Sequence, residues 1–521
     1  MKTSYIISGV FLFLVTAISV HAFPPLTVGS LPTQYTVLHS FNYDGLNHLD
    51  GKGPNSAPAA NGFGQLFGRT PNGGNKLDDR GILYRINLDG SDYRILHRFD
   101  WFDSPGNHPA PTPLVLGNTL YGTIEQHSVP SDQYPYGDDL GAVYSSSASG
   151  SDTDSSPNLS YLHFFQFNYA TNATDGVEPA SELVAIGDVF YGTTASYGSP
   201  SPYVGTVFSI HADGSGYNIL HYFGSVTNDG TGIVSGLTVG NDGTNVALYG
   251  NSSCGGTGGV FGGGVIFKIN PDGSGYSILH NFDQPVNGGY PYGHLVYADG
   301  VLYGSYLTGD TSRGFIFRMN ADGSGYTNIT SYGYGNFVVL GDTLYGLGGL
   351  SGQEVWSLKT DGMDYATLHD FNADPLDGKN PIGFPYLLTN NTMIVRYCCP
   401  PTDTNYMCQC VELVTLTNAV IYGVTSGGGA YTNFGTVFAL PLSVSAGTNS
   451  INSISVTSPA YGALFYTRPQ TSCSRWTPPI WAASPSWTIT PAPRIWARSP
   501  TTLTRLRRAI CRRAPMSSPS S

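Results

Sequence analysis

Short apolar runs separated by glycine- and asparagine-rich turns fill the chain from Gln34 to Leu442. The runs are only a few residues long, which fits short strands joined by tight turns, and no stretch carries a long apolar stripe at 3.6-residue spacing. The same phrases return in order. Leucine–histidine–any–phenylalanine begins at Leu38, Leu96, Leu162, Leu220, Leu279 and Leu368, with a degenerate copy at Ile329. An aromatic followed by glycine closes a second run at Phe67, Tyr121, Tyr191, Tyr249, Tyr303, Tyr345 and Tyr422. A third run is typified by "GTVFSI" from Gly205, and a fourth stands ahead of most aromatic–glycine pairs, as in "PLVLGNTLYG" and "FVVLGDTLYG".

Each unit therefore predicts four strands, a to d. Gly-Asn or Gly-Asp turns join a to b, and the Asp-Gly of "DGSG" joins c to d, because glycine accepts the positive φ of a tight hairpin. Spacing between successive aromatic–glycine pairs runs from 42 residues (Tyr303 to Tyr345) to 77 (Tyr345 to Tyr422), which places the length variation in the b–c and d–a loops. Seven such meanders predict an all-β fold, a seven-bladed β-propeller of four-stranded antiparallel blades over residues 34–442. The first d strand, Tyr35–Phe41, has no a, b or c before it. The last unit has a, b and c near Glu412 to Leu440, but no d after it. The N-terminal strand is thus expected to complete the last blade, beside Gly435–Leu440, and to close the ring.

The repeated histidine has a structural explanation at this stage. In "YNILHYF" alternation places Tyr217, Ile219, His221 and Phe223 on one face and Leu220 on the other. One copy per blade cannot converge on one ion, so a buried hydrogen bond to the next blade is expected rather than catalysis or metal binding. "NPDGSG" resembles half a calcium loop, but the later acidic ligand is missing and the phrase falls where a hairpin must turn.

Composition narrows the function classes. Charged residues are 11% of 521, with 67 Gly, 35 Tyr and 35 Pro. "MKTSYIISGVFLFLVTAISVHA" predicts a signal peptide over residues 1–22, with Lys2 as its positive end and Ala22 at the cleavage site; an uncleaved anchor is the other reading. No later segment is apolar enough to span a membrane, so a secreted or cell-surface location is expected. Of seven cysteines, Cys398, Cys399, Cys408 and Cys410 crowd into one segment and are candidates for local disulfides, with pairing open; CxxC spacing is absent, so zinc is not expected. Residues 450–467 look like the start of a truncated immunoglobulin-like module. Residues 468–521 hold nine arginines and no Lys, Asp or Glu, which predicts a disordered tail or a shifted reading frame. The remainder holds 14 Lys+Arg against 35 Asp+Glu, so no nucleic-acid partner is expected.

The units, typified by "FYGTTASYGSPSPYVGTVFSIHADGSGYNILHYF" (Phe190–Phe223), resemble the GloVer tandem repeat of exported bacterial choice-of-anchor proteins. That resemblance implies a propeller-like secreted or surface protein, and it supplies no catalytic residues or cofactor.

No GxSxG, HExxH, Walker or dinucleotide motif is present, and no cofactor, metal or catalytic residue is assigned. Variable loops on a rigid scaffold are the expected place for function. Those loops carry Trp101, Tyr134, Tyr136, Tyr197, Tyr203, Tyr290 and Tyr292, candidates for stacking on sugar rings. Two classes follow. One is a monomeric, non-catalytic protein that binds polysaccharide or cell-surface proteins. The other is a carbohydrate-active hydrolase or lyase whose paired carboxylates would come from different blades.

Overall fold

Seven antiparallel sheets, each paired in the order a–b–c–d, make up the ring. The computed structural model describes residues 32–442 apart from 44–49, 62, 75–79, 100–106, 110–111, 127–140, 150–158, 166, 169–172, 180, 196–204, 234, 258–261, 284–288, 308–313, 331–334, 350, 375, 399–409 and 432–433. Blade 3 is typical: Val184–Ile186, Val189–Thr194, Thr206–His211 and Asn218–Tyr222. Blades 1, 4 and 6 follow the same plan. Blade 2 has its inner position shared by Asn107–Pro109 and Leu114–Leu116, and the inner strand of blade 5 is long, Gly289–Ala298. No α-helix occurs among the described residues. The inner strands of successive blades touch one another around the axis, whereas the cores lie between blades.

Blade 7 joins the two ends of the chain. Thr36–Ser40 pairs antiparallel with Thr436–Leu442, with Thr36 opposite Ala439 and Ser40 opposite Thr436. The N-terminal strand therefore closes the ring as expected. The inner strand of this blade is not near Glu412, however. It is Lys379–Cys398, and Cys410–Gly427 is one long b strand. An 18-residue strand is far longer than usual, so its sequence reads as two shorter ones. Cys398 and Cys410 are opposite one another in this ladder. Cys399 and Cys408 lie outside the described residues, as do residues 1–22, 450–467 and 468–521.

The aromatic–glycine phrase has a packing cause. Each glycine lies opposite an aromatic of strand c, as Gly250 does with Phe267 and Gly346 with Trp356. A Cβ on Gly250 would stand 2.4 Å from Phe267 Cζ. The ring of strand c fills the space that a side chain on strand b would need.

The leucine–histidine phrase marks a β-bulge. In blade 3, Val207 is opposite His221 and Phe208 is opposite Ile219, so Leu220 is an extra residue. The same slip occurs in all seven outer strands. It corrects the simple alternation. Tyr217 and His221 do not share a face: Tyr217 stacks on His163 of blade 2 (3.8 Å between centroids), and His221 on Tyr276 of blade 4 (3.6 Å). The bulged Leu162 lies against Gly214 in the next c–d turn, where φ is +86° and a Cβ would be 2.9 Å from the Leu162 carbonyl oxygen. Asp213 closes that turn by accepting from the Ser215 N–H at 2.9 Å and its hydroxyl at 2.6 Å, which is turn chemistry.

Candidate functional site

The histidines form latches between blades. His221 Nε2 donates to Asp229 Oδ2 at 2.9 Å, in the loop leading to blade 4, while its ring stacks on Tyr276 of that blade. Asp229 also accepts from the Gly224 and Gly230 N–H groups, both at 2.9 Å, and from the Tyr276 hydroxyl. Burial raises the Asp229 carboxyl, but the bonds from His221 and Tyr276 outweigh it and hold the group below its ordinary value. His39–Asp50–Tyr93 and His163–Asp175–Tyr217 repeat the arrangement, with His to Asp at 2.8 Å in each. His369 Nε2 lies 3.0 Å from Asp377 Oδ2, and its ring stacks on Tyr35. His280 stacks on Tyr326 but has no partner for Nε2 among the described residues, and burial pushes its pKa down to about 4. These groups are spent on holding blades together, as a structural reading requires.

A different cluster sits at the axial mouth, on the end that carries the variable loops. The residue two before the inner-strand partner of each phrase's aromatic, the one that precedes glycine, occupies an equivalent place: Ala57, Thr112, Glu182, Gly236, His294, Asn336 and Phe384 for blades 1 to 7. His294 of blade 5 reaches over Gly236 of blade 4 to Glu182 of blade 3, with Nε2 to Oε2 at 2.5 Å. Only glycine leaves room for this, since a Cβ on Gly236 would stand 2.3 Å from His294 Cε1. Phe384 meets the His294 ring edge-on at 4.5 Å. Asn336 lies against Gly293.

Strand b adds to the mouth. Thr123, Thr193 and Asn251 bond to the backbone carbonyls of Ser181, Ser235 and Gly293 in the next blade, at 2.9, 3.0 and 2.8 Å. Arg69 takes this place in blade 1 and is buried. Desolvation lowers its pKa to about 10 against the opposing pull of Tyr144, Glu182 and Glu125. Burial likewise raises the Glu182 carboxyl, but His294, chiefly, and Arg69 keep it below its ordinary value. Glu125 is half-buried, and burial together with nearby Glu178 pushes it up. The result is a Glu182 carboxylate oriented by His294, with the Arg69 guanidinium and the Glu125 and Glu178 carboxyl groups in its neighbourhood.

Of the sequence candidates, Tyr290 and Tyr292 are exposed, at 37% and 47%, on the extension of the strand that carries His294. Trp101, Tyr134, Tyr136, Tyr197 and Tyr203 lie outside the described residues. His294, Glu182 and Arg69 were not singled out from sequence. Aligning the units on their aromatic–glycine pairs would have put Glu182 and His294 in one column.

Similarities to solved structures are distant. The Nidogen/Laminin complex is 13% identical with a TM-score of 0.32, covering 58% of this chain and 92% of that one. Polysaccharide lyase Uly1 is 11% identical with a TM-score of 0.41, covering 78% and 92%. An oligogalacturonate lyase in complex with manganese is 9% identical with a TM-score of 0.39, covering 79% and 97%. No curated protein matches the chain. The family model described as the Gloeobacter/Verrucomicrobia repeat matches residues 130–349, and the chain carries that repeat in the blades of its propeller.

Proposed function

We propose that this is an exported, monomeric repeat protein, secreted or held at the cell surface, that binds a glycan or protein ligand on the face carrying the variable loops. The observation that carries the reading is the pair Tyr290 and Tyr292, exposed on that face and leading directly to His294 at the axial mouth. Exposed aromatic rings beside a cluster of oriented polar groups suit a sugar, whose faces are apolar and whose edges are hydroxyls. The acidic balance, 14 Lys+Arg against 35 Asp+Glu before residue 468, disfavours nucleic acid.

A hydrolase or lyase is the second reading. Glu125 beside Glu178 favours it, because a pair of neighbouring carboxyl groups, one of them raised by burial, is a common basis of acid–base work on glycosidic bonds. Passing the mature protein over a polysaccharide panel, with assay of both retention and product release, distinguishes the two. Retention without products is expected. Products released at a rate that Glu125→Gln abolishes would move the assignment to the enzyme, and neither retention nor products would defeat both.

A further inference from the structure

We propose that the axial mouth is a built site for one neutral, hydroxyl-bearing unit of a ligand, with His294 Nδ1 and the Asn336 amide as polar contacts and Phe384 as the apolar wall. This rests on the glycan reading of the same face and names its ligand class. The His294 imidazole is held by one nitrogen only: Nε2 is bound to Glu182, and Nδ1 has no hydrogen bond among the described residues. A carboxylate that fixes one nitrogen fixes the direction of the other. In the neutral ring Nδ1 accepts, and in the cation it donates; a hydroxyl can answer either.

Asn336 supplies the second contact. Its Oδ1 is buried and has no hydrogen-bond partner among the described residues. Buried polar atoms left without a partner in the protein are commonly met by water or a ligand. This atom lies against Gly293, the residue before His294, and the Phe384 ring closes on both. Gly293 of blade 5, Asn336 of blade 6 and Phe384 of blade 7 thus meet at one place, with the His294 ring against Phe384. A Cβ on Gly293 would stand 2.2 Å from Asn336 Oδ1, so the approach depends on that glycine.

Charge selects the class. Glu182 is paired with His294, and buried Arg69 is already opposed by Glu182 and Glu125. Glu178 adds a further carboxylate beside Glu125. A uronate brought here would add an anion to a neighbourhood that already holds the Glu182, Glu125 and Glu178 carboxyl groups. A neutral sugar meets no such cost, and it can donate to Asn336 while engaging His294.

The test uses the whole mature chain, labelled with 15N at histidine, titrated with the neutral hexaoses of glucose, mannose and xylose, and with hexagalacturonate. At least one neutral hexaose should bind and shift the His294 Nδ1 resonance, and Asn336→Leu should weaken that binding about tenfold, as loss of one hydrogen bond does. Binding of a neutral hexaose with the His294 resonance unmoved would overturn the inference and leave the glycan reading standing. Selective binding of hexagalacturonate would do the same. Binding of none of the four would overturn the inference; the polysaccharide panel then decides the broader reading separately.

Discussion

Tyr35 stacks on His369 with 3.7 Å between ring centroids and 9° between planes, although one opens the described chain and the other belongs to blade 6. The Tyr35 hydroxyl also donates to the Asp377 carbonyl at 3.0 Å. The tyrosine of each latch lies just ahead of an outer strand, and here that strand is the N-terminal one. Closure is thus made twice: by the ladder between Thr36–Ser40 and Thr436–Leu442, and by a latch on the neighbouring blade.

Deleting residues 23–43 removes both. Blade 7 would then expose the edge of Thr436–Leu442, and an unpaired edge templates association. A lower melting temperature and concentration-dependent oligomers are expected by calorimetry and sedimentation. Tyr35→Ala, which keeps the strand, should lose ~1 kcal/mol, the worth of one aromatic pair. An unchanged monomer with unchanged melting in the deletion variant would show that closure lies elsewhere.

His221→Ala should cost ~1–3 kcal/mol, since it leaves a buried Asp229 short of a donor. Ligand binding should survive where the variant remains folded. Urea denaturation checks the first statement and a binding isotherm the second. A ligand lost with no change in stability would mean that the latch histidines serve the site.

His280 gives the pH dependence its sign. Its pKa is lowered from 6.5 to about 4 by burial. As pH falls below 6.5 the unfolded chain takes up this proton first, so the stabilisation is full above 6.5 and is lost progressively down to about 4. His280→Gln should therefore lose less stability between pH 7 and pH 4.5 than the wild type does. Urea midpoints at the two pH values measure it; parallel slopes in the two proteins would contradict the assignment.

Gly250→Ala should destabilise by ~1–3 kcal/mol, because the new methyl enters the Phe267 ring. Phe267→Leu in the same chain should recover part of that loss, since the two residues are cross-strand partners and their effects couple. Additive losses would mean that the glycine is required for some other reason.

Much of this architecture is legible in the sequence, for physical reasons that differ by element. The Asp-Gly and Gly-Asn turns demand particular residues, so the blade count and the lone N-terminal strand could be read directly. The bulge at Leu220 could not. Alternation counts residues evenly, and nothing in "ILHYF" announces that one residue has no partner across the strand. The 18-residue strand Cys410–Gly427 was divided because strands of that length are rare. His294 and Glu182 were missed for another reason. The mouth takes one residue from each blade, those residues differ in type, and their meeting depends on the empty place at Gly236.

The most direct test of the proposed function is the affinity of a Tyr290→Ala/Tyr292→Ala chain for whichever panel polysaccharide the wild type retains. Both rings are exposed, so melting should not change. Affinity should fall by about tenfold or more, since truncating an aromatic anchor costs ~2 kcal/mol. Equal affinity in the two proteins, with both fully folded, would contradict binding at this face.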